Sequence, residues 1–140
     1  MVNFPEPLLL SPGETFTDFV AKGKAKYYFY PFTRLKVSSN LVLALDKMGS
    51  GDSFMAGRVI SNAYLPYLNW TYPNASRFDF ISQSQASSNE VLEINATQLL
   101  RNCAGNTSSC ALIIAIISNA PQGSKYSLTQ MDLSNRIFPN

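Results

Sequence analysis

The run ALIIAIIS, residues 111–118, followed by NAPQGS, residues 119–124, and KYSLTQMDL, residues 125–133, decides the fold. The run falls far short of the roughly 20 apolar residues that a membrane-spanning helix needs. It shows no helical period and no strict alternation. Its shortness and its isoleucines favour a strand covered on both faces over a buried helix. We therefore expect the central strand of a sandwich. The Pro/Gly-marked stretch and the alternating segment after it read as a turn and a returning strand, the strongest hairpin signal in the chain.

Working outward, TFTDFVAKGKAKYYFYPF (15–32) reads as two strands around a Lys-Gly-Lys turn, the second dense in β-forming aromatics. NLVLALDKMGSGDSFMAGRVI (40–60) reads as two more, with KMGSGD as the turn and Leu41, Leu43 and Leu45 on the more buried face. SNAYLPYLNWTYPNAS (61–76) has no clean period and is expected to be a long connection. SRFDFIS (76–82) and EVLEI (90–94) are short strands, and NATQLLRN (95–102) is a single helical turn capped by Asn95. Residues 1–13 are an extended lead-in, 14–133 the folded domain and 134–140 a tail. About eight short strands with frequent turn signals and no internal repeat predict an all-β, antiparallel, jelly-roll-like β-sandwich.

The two cysteines, Cys103 and Cys110, enclose six small or polar residues. With no histidine and no third cysteine, a zinc site within the chain lacks ligands. The spacing is not the C-x-x-C of a redox pair. A disulfide closing this loop is expected, worth about 2.5 kcal/mol from chain entropy; the alternative is two unpaired thiols in a reducing compartment. N-x-S/T sequons at Asn69, Asn74, Asn95 and Asn106 are candidate glycan acceptors, the last inside the cysteine loop. Together these features predict an extracellular or cell-surface address. The opening MVNFPEPLLLSPGE has neither the basic nor the long apolar segment of a secretory leader. For a secreted chain, the leader is expected to be missing from this sequence.

Charged residues make up 14% of the chain and the net charge is +2. Lys22, Lys24 and Lys26 are the one local basic group, expected on a solvated strand face. Nucleic-acid binding would want a denser stripe. Catalysis fares poorly: no histidine exists for a nucleophile–base arrangement. Glu90 and Glu93 would face opposite sides of one strand, which excludes a glycosidase pair from that strand. No cofactor or dedicated metal site is expected. Asp46 and Asp52 flank a turn and are weak cation candidates beside the plainer reading of a solvated turn. The suggestive surface stretch is YLPYLNWTYP (64–73). Tyr64, Tyr67, Trp70 and Tyr72 there form either an aromatic platform for a partner or a sugar, or a flap folded over one open end of the sandwich.

The order of these pieces resembles the pre-peptidase C-terminal domain of bacteria and its eukaryotic look-alikes. GKAKYYFYPF (23–32) is similar to the family's G-x-x-x-Y-Y-x-F strand. LVLALDKMGSGDSFM (41–55) is similar to its alternating strand and Gly-Asp-x-Asp turn, with only Asp52 kept of the turn's acids. RFDFIS (77–82) resembles its Tyr-Asp-Phe/Trp-x-Ser strand, and CALIIAIISNAPQGSKYSLTQ (110–130) its closing segment ending in Tyr-Ser-Leu. In some members acids near the domain start bind calcium; here Glu6, Glu14 and Asp18 are sparse. The resemblance implies a β-sandwich appended to larger secreted or surface proteins, without catalysis of its own. The leading expectation is an extracellular structural, adhesion or assembly module whose partners are other protein domains or copies of itself. The alternative is a carbohydrate- or matrix-binding module using the Tyr64–Tyr72 loop, with glycans as partners; a secreted hydrolase is a distant third.

Overall fold

The computed structural model describes residues 6–34, 40–48, 53–82 and 89–132. Among them the strands are β1 (Leu8–Leu9), β2 (Thr15–Val20), β3 (Ala25–Pro31), β4 (Asn40–Met48), β5 (Ser53–Ile60), β6 (Phe80–Ile81), β7 (Glu90–Asn95), β8 (Ala111–Ser118) and β9 (Ser124–Asp132); the helix α1 is Ala96–Arg101. They form an all-β sandwich of two sheets, ordered β1-β3-β8-β5-β6 and β2-β9-β4-β7. Within the sheets the pairing is antiparallel except for β1, whose two residues run parallel to β3. The expected tail, 134–140, lies outside the described residues.

ALIIAIIS is the central strand β8, paired with β3 on one side and β5 on the other. The hairpin expected from it does not form. β8 belongs to the five-stranded sheet and β9 to the four-stranded one, so NAPQGS carries the chain across the sandwich. Gly123 makes that crossing possible, with φ at 83°. A Cβ there would meet the Phe19 ring and the Val20 carbonyl. Likewise β2 and β3 lie in different sheets, as do β4 and β5; of the successive strands beyond β1, only β5 and β6 pair. Turn residues specify a reversal, not which layer receives the next strand. Lys47 and Met48, expected in the KMGSGD turn, extend β4 instead, while 49–52 lie outside the described residues.

The inner faces supply one apolar cluster, including Tyr28, Leu43, Met55, Ile94, Leu112, Ile114, Ile116, Tyr126 and Leu128. Two polar ties cross it. The hydroxyls of Tyr28 and Tyr126 lie 2.6 Å apart and join the sheets. At another point the Lys47 ammonium sits 2.7 Å from Glu90 Oε2. The Ser82 hydroxyl donates to Glu90 Oε1 and accepts from the Met55 N–H at 2.9 Å. β4 and β7 of one sheet are thereby bound to β5 and the end of β6 of the other.

Burial raises the Tyr28 phenol above its ordinary value, and burial with the Tyr28 hydrogen bond raises that of Tyr126 well above it. Burial, with Tyr27 and Tyr67 nearby, pushes Tyr72 up to about 12. Raised folded-state values mean that the native state holds these protons more tightly than the unfolded chain. The resulting stability is fully present below the unfolded value near 10 and is lost as pH rises through the folded values. We expect the thermal midpoint to fall steadily above about pH 10, with phenolate absorbance at about 295 nm appearing together with loss of sheet circular dichroism. Phenolate formation at every tyrosine with the sheet intact would contradict this.

Candidate functional site

Residues 61–76 form a strap, and the structure decides which way its aromatics point. Tyr27 and Phe29 alternate with the core residues Tyr28 and Tyr30, so they project from the outer face of β3. The strap folds onto that face. Trp70 packs edge-on against Phe29 with centroids 5.4 Å apart, and Tyr72 lies 4.6 Å from Tyr27. With Ile60 and Ile113 these rings make a second apolar cluster, which explains why β8 is apolar on both faces. The strap is closed on itself. The Trp70 indole N–H donates to the Leu65 carbonyl at 2.9 Å, and the Tyr72 hydroxyl donates to the Tyr67 carbonyl at 2.6 Å. Trp70 and Tyr72 are thus built into a flap, and the flap covers a sheet face rather than an open end. Tyr67 is half-buried, and Tyr64 is the projecting ring, 75% exposed.

Cys103 and Cys110 are joined by a disulfide with Cα atoms 6.0 Å apart. The loop is not a hairpin: it runs from the end of α1 through a 3-10 turn, Thr107–Ser109, into β8. α1 starts with the expected Asn95 cap, in which Asn95 and Gln98 bond each other's backbone N–H. The staple holds three elements together. The Phe32 N–H donates to the Cys110 carbonyl at 3.0 Å, that of Ala63 to the Ser109 carbonyl at 2.8 Å, and that of Ala104 to the Ser61 hydroxyl at 2.9 Å. The disulfide therefore anchors the base of the strap as well as the entry to β8.

All four sequon asparagines are exposed. In Asn74, Asn95 and Asn106 the carboxamide oxygen accepts a backbone N–H, at 2.8 Å from Ser76, 2.8 Å from Gln98 and 3.1 Å from Ser108. Their side-chain nitrogens, the atoms that would carry a glycan, lie outside those bonds. Asp46 is exposed on β4; Asp52 lies outside the described residues. Glu90 and Glu93 face opposite sides of β7, the first buried against Lys47 and the second exposed and accepting from the Asn40 carboxamide at 2.6 Å.

The expected lysine face is not a single strand face. Gly23, with φ at 77°, turns the chain between Lys22 and Lys24, and only Lys26 stands on β3, 3.7 Å from Asp18. The turn meets the end of the strap at an open cleft of about 770 Å³ lined by Lys22, Lys24, Tyr27, Asn74, Arg77 and Asn119 among others. Sequence reasoning missed Arg77 as their partner, because more than 50 residues separate it from the lysines. It also missed the Lys47–Glu90 pair: a lysine beside a Gly/Ser run reads as turn.

No family profile and no curated protein matches the chain. Three solved chains match it. One is the pre-peptidase C-terminal domain of collagenase from Bacillus anthracis, with a TM-score of 0.58 and 11% sequence identity, covering 92% of this chain and 99% of that one. The fold is that of a pre-peptidase C-terminal domain, as the order of the motifs implies.

Proposed function

We propose that this domain is a non-catalytic module of a larger secreted or cell-surface glycoprotein, acting by packing against other domains or copies of itself. The observation that carries this reading is the asymmetry of the two outer faces. That of the five-stranded sheet is occupied by the chain's own strap. On the four-stranded sheet, Thr15, Thr17, Phe19, Asp46, Met48, Val91, Glu93 and Lys125 are exposed. In register, Phe19, Lys125 and Met48 form one row and Val91, Ala44, Thr129 and Thr15 another. Asp46, Glu93 and Lys125 are charged, the other five are apolar or threonine, and the pleated surface they share suits a second sheet or domain. The disulfide and the exposed sequons support the extracellular address, and the fold of the collagenase domain supports an appended, non-catalytic role. The inward packing of Trp70 and Tyr72 disfavours a sugar platform on the strap.

Protein isolated from its native source provides the test, by intact mass before and after glycosidase and reductant and by sedimentation. The expected result is a mass lowered by glycosidase and association that a Val91→Arg change abolishes. A solitary monomer with no glycan mass would overturn the proposal.

A further inference from the structure

We propose that the cleft between the Lys22–Lys24 turn and the end of the strap binds a sulfated polysaccharide. Its two walls are fixed independently. On one, the Lys24 N–H donates to the Ala21 carbonyl at 3.0 Å, and Lys22 bridges to Ser118 of β8, which holds both lysines at the rim. On the other, Asn74 and Arg77 exchange backbone hydrogen bonds at 3.0 and 3.2 Å, and the Asn74 carboxamide oxygen also accepts from the Arg77 N–H at 2.9 Å. The arginine is thus presented from a closed turn across from the lysines.

Among the described residues the lining carries three cations and no acidic residue, although the chain as a whole has 11 basic and 9 acidic residues. Cations of one sign around a concave surface concentrate positive potential there. The guanidinium offers the forked donor pair that suits sulfate or carboxylate, and the ammonium groups serve as point charges. The lining also holds Asn119, a neutral hydrogen-bonding side chain, and half-buried Tyr27, whose ring packs on Tyr72. A second depression, of about 380 Å³, shares Lys24 and Ala25 with the first and adds Phe19, Ala21 and Lys26, the last paired with Asp18 at 3.7 Å. Two depressions meeting at one lysine form a track, which suits a chain of anionic residues better than one small ion.

The larger cleft shares no residue with the bare sheet face, and binding is read on the purified domain after deglycosylation, because Asn74 lines the cleft, so it stands or falls apart from the proposed packing role. The probes are a heparin-derived hexasaccharide, the same hexasaccharide desulfated, inorganic sulfate, and a single-stranded oligonucleotide of equal charge. We expect the sulfated hexasaccharide to bind about tenfold or more tightly than any other probe, and Lys24→Gln with Arg77→Gln to weaken it about tenfold. Arg58→Gln with Arg101→Gln removes the same charge elsewhere and should change binding by less than about twofold. All four side chains are at least partly exposed, and unchanged circular dichroism establishes folding of both variants. Equal losses in the two double variants, equal binding of the oligonucleotide or of sulfate, or no binding at low salt would each overturn the assignment.

Discussion

Replacing Lys47 by methionine destabilises the domain by about 3–5 kcal/mol, the usual cost of leaving one member of a buried ion pair without its partner. The side chains of Lys47 and Glu90 are 1% and 2% exposed and 2.7 Å apart. Without the ammonium, Glu90 retains only the Ser82 hydroxyl among these contacts, and the carboxylate is left buried between two sheets with its charge unpaired. A second substitution, Glu90→Leu, on the Lys47→Met background should recover most of the loss, because an apolar pair of similar volume avoids the desolvation cost. Urea denaturation of the two single variants and the double variant gives the coupling directly. A loss below about 1 kcal/mol for Lys47→Met would mean that water reaches the pair.

Ile114→Ala should cost about 2–5 kcal/mol by the same measurement. Ile114 is fully buried on the inner face of β8, opposite Gly57 of the neighbouring strand. A Cβ on Gly57 would already stand 3.1 Å from Ile114 Cδ1, so the isoleucine fills the space that the glycine leaves. Ile113, on the opposite face of the same strand, should be costly to truncate as well, because the strap covers it. Truncation of the exposed Val91 should change stability by no more than about 0.5 kcal/mol. Similar small effects for Ile113→Ala and Val91→Ala would mean that the strap does not pack as a second core.

The contrast between these positions marks what the sequence discloses. The unalternating ALIIAIIS gives a strand covered on both faces, because burial on two sides leaves no place for polar residues. The Asn95 cap and the short cysteine loop are equally legible, since each depends on residues close together in the chain. The layer assignment is not. NAPQGS marks a reversal whether the chain returns beside β8 or crosses to the other sheet, and the choice rests on contacts with strands far away, such as β2 and β4 on β9. The same distance hides Lys47–Glu90 and the meeting of Arg77 with Lys22 and Lys24. The strap aromatics are ambiguous for a different reason: Trp and Tyr suit both a wet interface and a dry packed face, and only Tyr27 and Phe29 beneath them decide.

β9 lies between β2 and β4 and is the last of the domain's described strands in chain order. Thr15 finds its partner in Thr129, with their hydroxyls 2.9 Å apart. During translation β2 therefore waits, its backbone unpaired, for nearly the whole domain to follow. β3 can meet β8 sooner, and the disulfide can close as soon as Cys110 is reached. The five-stranded layer waits for β8 and the four-stranded layer for β9, so both are completed by late, long-range pairing, which is slow. A nascent chain stalled before Ser124 would expose the flank of β2 to neighbouring polypeptides.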